Sequence, residues 1–112
     1  MVNSRTKGKV FENWFALRLR PLFPGIHRNW QAQAAQGGAD FSESDPFDFE
    51  VKAGKGYKSV MVRGWIDQVK MEGKKGNYKA VLVKPDREEP YVIMPFDDFI
   101  DLLDHMKMNG GI

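Results

Sequence analysis

The residues of this chain best suited to chemistry are a few carboxylates, one lysine and one glutamine, each set among apolar neighbours. In Phe47-Asp48-Phe49-Glu50-Val51-Lys52-Ala53, side chains alternate along an extended strand. Phe47, Phe49, Val51 and Ala53 therefore share one face, and Asp48, Glu50 and Lys52 share the other. Taken alone, this is also the pattern of a strand with one face in water. Glu12 adds a second anomaly. At about 100° per residue it falls on the same helical face as Phe15, Ala16, Leu19 and Phe23. A carboxylate buried there is costly without compensation, so it calls for a cationic side chain or a metal ion. Gln68 lies within the apolar helical face marked by Met61, Trp65 and Val69. A buried amide needs partners for its donors and its acceptor, whether backbone groups or a metal-bound water. Asp40 follows Gly37-Gly38-Ala39, small residues that admit backbone or substrate at close range, although an Asp in a turn is ordinary. Together, Glu12, Asp40 and Glu50 supply hard oxygen ligands, Lys52 a cation and Gln68 a neutral polar group. Hard oxygens select Mg²⁺ or Mn²⁺.

The elements that must position these residues follow from periodicity and breakers. From about Lys7 to Phe23 the pattern is helical, with Phe11, Phe15, Leu19, Leu22 and Phe23 on one face. Pro21 strains its last turn and Pro24-Gly25 stops it. Ile26 to Ala35 reads as a strand broken by Gly37-Gly38, Ala39 to Ser42 as a short strand, and Pro46 to Ala53 as a longer one. After the loop Gly54-Lys55-Gly56, Ser59 caps a helix that runs to about Glu72. Gly73 to Asn77 is a break; Tyr78 to Lys84 and Pro90 to Met94 form a hairpin. Pro95, with Asp97 and Asp98 behind it, opens a last helix that Asn109-Gly110-Gly111 closes. The predicted order is α-β-β-β-α-β-β-α, a single α/β domain over residues 1–112 with helices packed on a mixed sheet.

Composition narrows the function classes. A chain of 112 residues that is 42% hydrophobic builds one core and leaves little for a second domain. The absence of Cys excludes disulfides, thiolate catalysis and Cys-type zinc sites, and suits a reducing cytoplasm, the expected location. No stretch approaches the roughly 18 apolar residues of a membrane span, and Met1 to Arg5 lead into charge rather than an apolar signal segment. A net charge of +2 does not demand nucleic acid. Basic clusters do exist, in Arg5, Lys7 and Lys9, in Lys52, Lys55 and Lys58, and in Lys70, Lys74 and Lys75. Acid gathers in Asp97, Asp98, Asp101 and Asp104. His27 and His105 have no ligand spacing, and the Gly54–Gly56 loop lacks the Gly-Lys-Ser/Thr ending of a phosphate-binding loop.

Asp40, nine intervening residues, then Glu50-Val51-Lys52 resembles the PD-(D/E)xK nuclease motif, with Ala39 in place of the usual Pro. Lys7-Gly8 and Glu12 upstream and Gln68 downstream fit the same superfamily, so the resemblance runs from about Arg5 to Val69. The short layout is similar to archaeal-type and phage Holliday junction resolvases, although Gln36-Gly37-Gly38-Ala39 stands where a Ser-Gly element is usual. The resemblance implies a restriction-endonuclease-like core. It also implies a Mg²⁺-dependent DNA endonuclease (Mn²⁺ substituting) that works on branched DNA in recombination and repair as a homodimer. Within it, Glu12, Asp40, Glu50 and the Val51 carbonyl hold metal. Lys52 orients the attacking water or stabilises charge on the phosphate, and Gln68 positions water or metal. Arg5, Lys7, Arg28, Lys55 and Lys58 contact phosphates, and Asp48 is not expected among the ligands. Trp14, Leu17 and Trp30 add a surplus of large apolar residues, and Trp14 and Leu17 lie off the main stripe of the first helix, so they need covering by a second copy or by the last helix. Three alternatives stay open: a nuclease of the same class acting on flaps or duplex, a non-catalytic nucleic-acid-binding protein of this fold, and an unrelated α/β interaction domain.

Overall fold

The computed structural model describes residues 4–29, 39–54 and 59–111, with the side chains of 4–7 and 59–60 outside the description. Its elements are α1 (Ser4–Leu19), β1 (His27–Arg28), β2 (Phe41–Ser42), β3 (Phe47–Gly54), α2 (Ser59–Glu72), β4 (Tyr78–Pro85), β5 (Tyr91–Ile93) and α3 (Phe96–Met108). The main sheet has the order β3-β4-β5, with β3 parallel to β4 and β5 antiparallel to β4. β1 and β2 form a separate antiparallel pair. The described residues thus make an α/β fold with a mixed sheet and three helices. Parallel pairing of β3 with β4 requires a crossover, and α2 supplies it.

Several boundaries differ from those predicted. α1 ends at Leu19 rather than Phe23, because Pro21 offers no amide and disfavours helical geometry at Arg20. The N–H groups of Leu22 and Phe23 instead both turn back to the Leu19 carbonyl. Phe23 still packs edge-on against Phe47 and Phe49. Of the predicted strand Ile26–Ala35, only His27–Arg28 is a strand among the described residues; residues 30–35, with Trp30, and Gly37-Gly38 after them lie outside those described.

The core has two layers because side chains alternate across the sheet. Phe15, Ala16, Ile26, Phe41, Phe49, Ala80 and Leu82 fill the α1 side. Val69, Val81 and Val83, flanked by Trp65, Ile66 and Ile93, fill the α2 side. The polar column of β3 also lies inside: Asp48 and Glu50 are both buried. This excludes a solvated face for the strand and follows from its parallel pairing, which is covered on both sides. Asp48 is the direct ladder partner of Lys79, and its Oδ2 lies 2.6 Å from the Lys79 ammonium. The same carboxylate accepts the Lys74 amide at 2.7 Å and the Asn77 side chain at 3.2 Å. The Lys79 ammonium also donates to the Lys74 carbonyl. Gly73 is needed beside this group, since a Cβ there would collide with the Asp48 carboxylate.

At the far end, Asp97 and Asp98 occupy the first turn of α3 as expected, and Asp98 accepts the Lys79 amide at 2.8 Å. Asn109 closes the helix, followed by Gly110 at a φ of +78°. α3 has no fully buried residue and leaves Phe96, Phe99 and Ile100 exposed. It does not cover Leu17, which is 65% exposed, while Trp14 is half-buried against Phe15 with the Arg18 guanidinium over its ring. No described helix is long and apolar enough to cross a membrane.

Removing one partner of a buried, hydrogen-bonded ion pair strands the other. Asp48→Ala is expected to cost about 3–5 kcal/mol, read as a lowered urea midpoint with an unchanged slope. A loss below about 1 kcal/mol would show that the pair is not structural.

Candidate functional site

β3 presents Glu50 and Lys52 on the face that looks at α2. There α2 divides its own surface. Val69, Trp65 and Ile66 pack on Val81 and Val83, while Gln68 is turned to β3. Gln68 Oε1 accepts from the Lys52 ammonium at 2.9 Å, and its Nε2 donates to Glu50 Oε1 at 3.0 Å. Lys52 Nζ stands 3.6 Å from the same Glu50 oxygen. The amide therefore uses both ends to hold a cation and a carboxylate in fixed relation. Glu72, one helical turn after Gln68, faces the same amide at 3.4 Å. Sequence reasoning missed Glu72, although its i+4 spacing from Gln68 was a usable signal.

Asp40 reaches the site from the open edge of β3. Its backbone N–H bonds the Phe49 carbonyl at 3.0 Å, and its Oδ2 accepts the Val51 N–H at 2.7 Å. Asn29 fixes this stretch by bonding the Ala39 carbonyl through its side chain and the Asp40 carbonyl through its amide. In an extended strand the N–H and C=O of one residue leave on the same side, so the Val51 carbonyl emerges on the edge that Asp40 occupies.

Glu12 takes the ion-pair alternative. Its Oε1 receives the Arg28 Nε at 2.9 Å, and both side chains are only 10% exposed. Arg28 is accordingly turned inward toward Glu12 rather than presented at the surface to a phosphate. Glu12 remains within electrostatic reach of Asp40, whose carboxyl it helps push upward. Lys55 and Lys58 lie outside the described residues, as do the side chains of Arg5 and Lys7. His27 bonds the Gly25 carbonyl and His105 meets the Tyr78 ring, so neither touches the site.

No protein-family model, curated protein or solved structure matches this chain.

The electrostatics mark a place built for positive charge. Burial, then the nearby Asp40 carboxylate, pushes Glu50 up to about 8 from 4.5, against the opposing pull of Lys52. Burial also raises Asp40 from 3.8 to about 6, although the Val51 amide works the other way. Glu50 is 3% exposed, and its Oε2 is buried with no hydrogen-bond partner among the described residues. An orphaned buried carboxylate oxygen is costly unless a cation or proton meets it. No three Asp, Glu or His side chains already converge at metal-holding distance among the described residues. The oxygens that could hold Mg²⁺ here are those of Asp40, Glu50 and the Val51 carbonyl, since this ion uses one or two carboxylates and keeps several waters.

Both carboxyls bind protons more tightly folded than unfolded. Stability without metal should therefore fall as pH rises from about 3.8 to about 8, and level off above. Thermal melts in EDTA across that range should show this decline. Glu50→Gln should flatten it and melt higher than wild type at pH 8. A wild-type curve that rises through the same interval would refute the assignment.

Proposed function

We propose that this chain is a divalent-metal-dependent DNA endonuclease with a PD-(D/E)xK-type site on a restriction-endonuclease-like core. The observation that carries the proposal is buried Glu50 beside partly exposed Lys52, clamped by Gln68 and faced by Asp40, with one Glu50 oxygen left unpartnered among the described residues. Asp40, Glu50 and the Val51 carbonyl would hold Mg²⁺ or Mn²⁺, with Glu12 lending negative charge from behind its Arg28 pair. A bound ion would polarise the scissile phosphate and lower the pKa of a water. Lys52 keeps its ammonium beside the carboxylates and is 27% exposed, so it can meet a phosphate oxygen or orient a water at the site's edge. Gln68 holds Lys52 and Glu50 in register by accepting from one and donating to the other. No step needs either histidine.

A four-way junction is the substrate favoured by the chain's resemblance to short resolvases, with two copies cutting one strand each. The apolar residues that α3 leaves exposed are available to such a pairing. One observation favours a second reading, a nucleic-acid-binding protein without cleavage: Glu12 is committed to Arg28 rather than open to a metal.

Incubation of a synthetic four-way junction with Mg²⁺ separates these possibilities. Paired nicks are expected, abolished by Glu50→Ala and slowed about 100-fold or more by Lys52→Ala. Equal cutting of junction and plain duplex would retain the site and discard junction specificity. Binding without cutting in both Mg²⁺ and Mn²⁺ would establish the non-catalytic reading.

A further inference from the structure

Two clefts flank the Glu50-Lys52 site, and their charges are opposite. One is lined by Glu43, Asp45, Asp48 and Glu72 against a single cation, Lys74. A polyanion is repelled there. The other, of about 200 Å³, opens on the far side of Lys52 and contains no acidic residue among those lining it. Its walls are Met61 and Trp65 from α2, facing Val83 and Pro85 from β4, with Lys52 and Lys84 at the polar positions. Lys52 thus belongs to both the carboxylate site and this cleft. The Lys84 ammonium bonds the Pro85 carbonyl at 2.9 Å and lies over the Phe11 ring on the α1 side of the sheet, so Lys52 is the cation on the α2 side of this cleft.

We propose that this second cleft receives one unstacked nucleobase of a single DNA strand. The nucleotide is the one adjoining the phosphate that the carboxylates address; that adjacency rests on the nuclease reading above. Three properties select this occupant. The cavity takes one base and is too small for a base pair. An indole, a thioether and two aliphatic side chains suit a flat aromatic ring, which binds such walls whatever its sequence. The Lys52 ammonium beside it, with no lining acid to oppose it, favours a strand that carries phosphates and disfavours an uncharged apolar ligand. A duplex held rigidly stacked would not enter, so the cleft gives the protein a chemical reason to prefer DNA that already has an unpaired base, as at a junction centre, a flap or a single-stranded gap.

An abasic scan reads this directly. Binding of a short single-stranded DNA is measured in Ca²⁺ by fluorescence anisotropy, with each nucleotide in turn made abasic. In the wild type, one position should weaken binding by on the order of ten-fold while its neighbours change little. Met61 is 43% exposed at the rim, so Met61→Trp can fill the cleft without emptying the core, and the position-specific loss should then disappear. Trp65→Phe, which keeps an aromatic wall and the packing on Val69, should preserve it. Uniform small losses along the wild-type strand would overturn the proposal, as would a position-specific loss undiminished by Met61→Trp. Cutting in Mg²⁺ is scored in parallel on the same strands. Its absence counts against the nuclease reading alone, since the abasic loss is read without cleavage.

Discussion

The structure turns on the burial of charge along one face of one strand. β3 carries Asp48, Glu50 and Lys52 beneath α2, and parallel pairing with β4 buries the two carboxylates while Lys52 alone stays partly exposed. The two carboxylates meet the same constraint with opposite outcomes. Asp48 has an ammonium and two further donors, so its charge is fully met. Glu50 shares one oxygen between an amide and a more distant ammonium, and its other oxygen has nothing among the described residues. An unmet buried acceptor costs on the order of 1–3 kcal/mol, and more when charged. Residues two apart on one strand thus divide the labour, one stabilising the fold and one leaving a buried acceptor unmet.

The rest of the molecule can be understood as support for that imbalance. α2 is amphipathic in an uncommon sense, since its inner surface is itself split. Val69 and its apolar neighbours grip β4, which fixes the helix height. That height then delivers Gln68 and Glu72 to β3. Asp40 arrives from the opposite edge because its backbone extends the ladder at Phe49 and its side chain takes the next free amide, that of Val51. Three separate pieces of chain meet at one point, and each is held there by interactions that do not involve the unpaired oxygen. Positive and negative clefts on the two sides of Lys52 then give the site a direction.

Much of this was legible in the residues, and the illegible part has a physical cause. Alternation placed Glu50 and Lys52 on one face of a strand, and helical periodicity exposed Gln68 as a misfit in an apolar stripe. Both are local properties with fixed periods. Whether the polar face of β3 met water could not be read locally, because that depends on parallel pairing with a strand beyond α2. Glu12 showed that it needed a partner but not which one. Arg28, sixteen residues away, becomes its neighbour only after the turn at Pro21 to Gly25 folds back. Glu72 escaped notice since a Glu at the end of a helix is unremarkable until the packing angle shows which way it faces.

The Asp48–Lys79 pair has a further consequence. The two residues are exact opposites in the β3–β4 ladder, and both are buried. A shift of β3 by one residue would turn Asp48 in among the phenylalanines on the α1 side, and a shift by two would set it opposite Val81. Either misalignment isolates two charges inside the protein, so hydrophobic strands otherwise free to slide have only one tolerable alignment. The pair works as a proofreading device for assembly. It fixes the address at which Glu50 and Lys52 are delivered.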